Sequence, residues 1–280
     1  MVKITGSEAD RITLHKYVSL LSDHIYNALN QVSASSIFDQ TYLDLLRRIR
    51  ASLIGLSVQL PLWPEVYEMK TPIELLLRTT LTDALTLLYL ATFDESEQSF
   101  VNELSLLDIG VVKYVEAYID NFELMDDSVT AEDKEVRKEE LYKLIPHLRS
   151  EESIKKAKSF KEIRSKSNPL LFLGNPNTES GFTKPLTERS MFEQIKAHPV
   201  TKDLAYLYIY QGLFSQTHHY AMSNRGYSEW NSGHACLNWF IAVHGLYRVI
   251  ITAVRLLGAT DYTSFQIREE QYELSMYMAD

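Results

Sequence analysis

Two stretches, Pro72–Thr92 and Ala235–Leu257, are apolar on nearly every side when wound as helices, and this constrains the fold more than any other feature. Helices of this kind belong in the middle of a bundle, because exposing any side forfeits about 1.5–3 kcal/mol for each large apolar side chain left in water. Elsewhere apolar residues recur at helical spacing, and no alternating run marks a strand. Glycine (10) and proline (8) are sparse in 280 residues, leaving few of the tight turns that all-β sandwiches and barrels need. The expected fold is all-α, a single multi-helix bundle with two nearly all-apolar central helices and 1–280 as one domain. The later apolar stretch also has the length of a membrane span, but it carries Asn238, His244, Arg248 and Arg255. A charge at the bilayer centre costs about 2.5–3.5 kcal/mol on insertion scales, so a core helix and no membrane association are expected.

Local signals place the helices. Ser7 with Asp10 three residues on forms a capping-box-like start, followed by Ile12, Val18, Leu21, Ile25, Ala28 and Val32 on one face, with an end near Val32. A second helix is predicted over 38–60, through Tyr42, Leu45, Leu46, Ile49, Leu53 and Leu56, until Pro61 and Pro64 stop it around Trp63. Thr71 as cap and Pro72 as first helical residue open the third. Three further helices follow over 186–198, 201–223 and 232–259, then an amphipathic tail through Tyr262, Phe265, Tyr272 and Met276.

Charge is unevenly distributed. The net charge is -9, yet 94–135 alone holds thirteen acidic residues against Lys113 and Lys134, a local net of -11 that reads as a solvated face. Over 136–167 the sign reverses, with ten Lys or Arg against five Glu. The segment 126–187 is expected to be a polar, partly irregular excursion, with its longest loop across 168–187, where Pro169, Gly174, Pro176, Gly181 and Pro185 fall. An acidic chain is a poor general binder of nucleic acid, so such binding is expected only through the local basic segment 149–166. The single Cys236 permits no internal disulfide, and Met1–Asp10 lacks the apolar run of a secretory signal, so a cytoplasmic location is expected.

Familiar catalytic loops are missing. There is no G-x-G-x-x-G, Walker A loop or G-x-S-x-G elbow, and no C-x-x-C, H-E-x-x-H or E-x-x-H. No metal site, no cofactor and no catalytic residue is therefore assigned. What remains is side chains on helices. Glu74, Arg78 and Asp83 lie in an apolar helix and need partners; Glu74 and Arg78, four apart, can pair with each other. Asp83 lies about 140° round the helix from Arg78 and must find its partner elsewhere, with Arg248 or Arg255 as possible sources. Gln211, Ser215 and His218 or His219 share a face, an arrangement that serves either a nucleophile–base pair or an ordinary hydrogen-bond network. His244, Arg248, Thr252 and Arg255 form one polar line along the last long helix. The candidate polar pocket is Arg78, Asp83, Ser215, His218, His219 and Arg248, where arginines would hold a phosphate or carboxylate.

The series Leu76, Leu77, Arg78 and Asp83, then Arg189 and Glu193, then tyrosines leading to Ser215, His218 and His219, resembles an uncharacterised bacterial helical family, domain of unknown function 5677, over 71–257. That resemblance implies a helical bundle and no particular reaction. More distantly the chain is similar to HEPN proteins, helical bundles associated with RNA cleavage in bacterial conflict systems. Their motif sets a histidine five to seven residues after an arginine, a spacing that no arginine here has. A cleavage site would have to join separate helices, Arg78 with His218 or His219. The leading expectation is a binding or assembly module with a polar inter-helix pocket and a small-molecule or protein partner; self-association stays open, and the alternative is a HEPN-like ribonuclease of a defence or toxin system.

Overall fold

The computed structural model describes residues 6–63, 65, 69–122, 128–144, 155, 188–215 and 232–259, without the side chains of 109, 110, 113, 114, 232 and 233. Among the described residues every regular element is helical: α1 (Glu8–Gln31), α2 (Ile37–Gln59), α3 (Lys70–Ala91), α4 (Glu97–Asp120), α5 (Ala131–Leu144), α6 (Glu188–Ala197), α7 (Leu207–Ser215) and α8 (Ser232–Leu256), with short 3-10 turns at Leu60–Leu62 and Lys202–Leu204. The all-α expectation holds. The loop at 168–187, the histidines His218 and His219, and the tail from Tyr262 lie outside the described residues.

The chain divides into two compact units, one comprising Met1–Thr92 with Gln194–Asp280 and the other Phe93–Glu193. In the first, α3 packs against α2, α7 and α8, and α1 packs against α2 and α8. The two apolar helices are thus neighbours in the core. Ile73, Leu77, Leu81, Leu87, Leu88 and Leu90 of α3 are fully buried, as are Phe240, Ala242, Leu246, Val249 and Ala253 of α8. The stretch His234–Leu256 is long and apolar enough to cross a membrane by length and composition; 61% of its most apolar window is buried inside the protein.

The capping chemistry explains the first two helix starts. Ser7 accepts from the Asp10 backbone N–H at 3.2 Å while the Ser7 N–H donates back to the Asp10 carboxylate at 3.0 Å. Ser36 and Asp39 repeat the reciprocal bonds at the head of α2, which begins one residue earlier than the apolar pattern predicts. Pro61 converts the end of α2 into the 3-10 turn, and Trp63 then folds inward to meet Trp239 of α8 edge-on, with ring centroids 4.7 Å apart.

Two expectations are corrected. Thr71 does not cap α3: the helix already begins at Lys70 after a Met69 cap without a side-chain bond, so Pro72 still falls in the first turn, where no intrahelical N–H is lost. The predicted helix over 201–223 is divided where it is described. Thr201 is fully buried with its hydroxyl committed to the Ile195 carbonyl at 2.8 Å, a 3-10 turn follows, and α7 starts only at Leu207.

In the second unit, α4 buries Phe100, Leu106 and Val112, whereas α5 buries nothing. Among the described residues of the acidic run, most of the acids are exposed, but Glu103 is fully buried. Polar groups attach α5 to α4: Lys138 meets Asp120 at 2.6 Å, Tyr142 donates to Glu116, and Lys134 donates to the Asp120 carbonyl at 2.8 Å. Arg137 lies over the Phe122 ring, 4.6 Å from its centre.

Candidate functional site

Asp83 is buried in the middle of α3, and the cation that meets it comes from α2. Arg48 donates through two nitrogens, at 2.7 Å and 3.2 Å, in the forked geometry that suits a carboxylate. The pairing with Arg248 or Arg255 considered from the sequence is replaced by this one, 35 residues away in the chain. Burial still dominates the titration of Asp83 and raises its pKa above the ordinary carboxyl value, with Arg48 opposing.

Glu74 also turns from its expected partner. The cation acting on it is Lys70, one turn back rather than one turn on, and the Trp239 indole N–H lies near enough to favour the carboxylate without a well-aligned hydrogen bond. Burial is again the larger influence and pushes its pKa up. Close by in the same unit, the Cys236 thiol is fully buried and pushed up to about 12, first by desolvation and then by Asp10. Such a thiol is not a nucleophile at neutral pH.

The third polar feature is a seam between α7 and its neighbours α3 and α8. Gln211, buried on α7, donates to the Thr82 hydroxyl of α3 at 3.4 Å, a long contact. Ser215 gives its hydrogen to the Gln211 carbonyl of its own helix at 2.7 Å, so that hydroxyl is committed to backbone. On the α8 side, the Tyr206 hydroxyl lies against Gly245 and within the influence of the Arg248 charge. Burial raises the Tyr206 pKa, with the Arg248 charge opposing. Gly245, one turn before Arg248, lets the chains approach: a β-carbon there would lie 2.3 Å from Leu207 Cδ2 and 2.9 Å from Tyr206 Oη. His244 stacks on Tyr247 at 6.3 Å between centroids, and its pKa is lowered by burial and then by the Arg248 charge.

Of the six residues in the expected pocket, Asp83 therefore goes to α2 and Ser215 to its own helix, while the Arg248 charge acts on Tyr206 and His244. Arg78 sits on α3 with its Nε buried and its carbonyl accepting from Thr82, while His218 and His219 are outside the described residues. Gly245 and Arg48 were not singled out from the sequence. The signal for the first is a glycine inside an otherwise bulky apolar helix, which marks a close approach. Among the described residues, no group of three or more His, Cys, Asp and Glu is placed to hold a metal ion. Compared with known protein families, curated proteins and solved structures, the chain matches none of them.

Proposed function

We propose that the chain is a soluble, cytoplasmic helical module that acts by binding, through the polar seam where α7 meets α3 and α8. The observation that carries this reading is how the polar groups are used there. Ser215 is spent on its own backbone, whereas Gln211 reaches across to Thr82 of α3 and the Tyr206 hydroxyl lies against Gly245 of α8. Cross-helix hydrogen-bonding groups at an otherwise apolar packing face are what a ligand or partner site requires, and a nucleophile held against its own helix is a poor start for acyl or phosphoryl transfer. The burial of α8 among α1, α3 and α7 supports a core helix and hence a soluble protein. The test sets binding against catalysis. The purified chain is incubated with RNA of mixed sequence and, separately, analysed by native mass spectrometry for a retained ligand or partner. A discrete retained mass without RNA cleavage is the expected result. Cleavage that disappears in both Arg78→Ala and His219→Ala would overturn the reading in favour of a HEPN-like ribonuclease.

A further inference from the structure

We propose that Trp63, which follows the 3-10 turn Leu60–Leu62, is a latch: it swings out while the helical core stays folded and uncovers the face of α8 that carries Cys236 and Trp239. The latch is separate from the polar seam at α7, and neither depends on the other.

Trp63 is one buried side chain on an otherwise exposed piece of chain. Leu62 just before it is 46% exposed and the Glu65 side chain just after it 67% exposed, whereas Trp63 itself is 2% exposed. Pro61 stops the α-helix, and the Trp63 N–H closes on the Leu60 carbonyl at a long 3.3 Å, which leaves the Trp63 backbone extended and its ring turned inward. There it meets Trp239 edge-on, with centroids 4.7 Å apart. Cys236 lies three residues before Trp239, on the same face of α8, and is fully buried. Lifting the Trp63 ring therefore bares that face.

Two features make the closed position easy to leave. The Trp63 indole Nε1 is buried without a hydrogen-bond partner, so closure forgoes a bond that water supplies once the ring is out. On the solvent side the segment is clamped by a single residue of α1. Arg11 donates to the Trp63 carbonyl at 2.5 Å and pairs with Glu65 at 3.2 Å. The Glu65 carboxylate is exposed, so that pair holds weakly and the carbonyl bond is the main restraint. An inward ring with an unmet N–H, held by one arginine, gives a short segment two positions, and such local openings require less free energy than unfolding of the core.

The test uses the full chain. Cys236 is its only cysteine, so labelling by N-ethylmaleimide, followed by mass spectrometry, reports when this face is uncovered. The labelling rate is measured from zero urea up to the unfolding transition and set against the global stability from urea unfolding. Wild type should label about tenfold or more faster than global unfolding permits. The rate should hardly respond to urea below the transition, because lifting one ring exposes little surface. Arg11→Met, which keeps the aliphatic stem and loses the clamp, should speed labelling about tenfold, and Glu65→Gln about twofold. Arg47→Gln, which alters an exposed arginine of α2, should leave the rate unchanged. Wild-type labelling that follows global unfolding at every urea concentration overturns the latch. So does local opening that Arg11→Met leaves at the same rate, which would place the motion at the start of α8 instead of at Trp63. If Arg11→Met fails to fold, Glu65→Gln decides, because it changes one exposed side chain: an unchanged labelling rate overturns the proposal.

Discussion

At the residue scale, Asp83 and Glu74 are carboxyls that folding removes from water, and both have pKa values raised above their ordinary 3.8 and 4.5. Between the ordinary and the raised value, the unfolded chain has released a proton that the folded chain still holds, so increasing pH favours unfolding. Their contribution is fully present below the ordinary values and is lost as pH rises through the raised ones. Asp83→Asn cannot ionise, and Arg48, with 67% of its side chain exposed, can return to water. The variant should therefore lose less stability than wild type as pH climbs from about 4 to neutrality; equal slopes in urea unfolding across that range would refute the assignment. A backbone residue gives a second prediction. Gly258 ends α8 with φ at +71°, and the following N–H groups close back on the helix, Ala259 to Val254 at 3.1 Å and Gly258 to Arg255 at 3.0 Å. Gly258→Ala should cost about 1–2 kcal/mol in chemical denaturation, the penalty of a β-carbon in the left-handed region. The sequence showed that Asp83 needed a partner but could not name Arg48, because a contact between helices depends on their rotation about their axes. Periodicity reports which face is apolar and leaves that angle open.

At the element scale, the meeting of α7 and α8 depends on Gly245. A methyl group there would drive into Leu207, which is fully buried and has little room to yield, and into the Tyr206 hydroxyl. Gly245→Ala should destabilise the chain by about 1–3 kcal/mol, the usual cost of overpacking. It should also displace Tyr206; an unaltered melting temperature would show that α7 and α8 do not meet closely here. The starts of α1 and α2 were legible, or nearly so, because a capping box is local chemistry within four residues. The start of α3 and the break before α7 were not. Lys70 is helical without any side-chain cap, and Thr201 is held by the carbonyl of Ile195 on the preceding helix. Tertiary packing sets those ends, and a local pattern cannot report it.

At the scale of the whole molecule, α3 and α5 are held by different physics, which a single property of the sequence anticipated: apolar content is high in 72–92 and 235–257 and falls after 136. In the first unit α3 is enclosed by α2, α7 and α8, so its amides should exchange with solvent only when the unit unfolds globally. In the second, α5 buries no residue and is attached to α4 by ion pairs, hydrogen bonds and one cation–π contact. The Lys138 ammonium is held in its charged form by Asp120 and then Glu135, with its pKa raised, yet these carboxylates are largely exposed and their attraction is screened by salt. Hydrogen exchange followed by mass spectrometry should accordingly find α5 among the fastest helices and α3 among the slowest. Raising NaCl from 0.05 to 1 M, a range that shortens the screening length to about 3 Å, should speed exchange in 131–144 several-fold while leaving 77–90 nearly unchanged. Equal protection of the two helices, or a salt response confined to α3, would mean that α5 is held by burial, contrary to the exposed surface it presents.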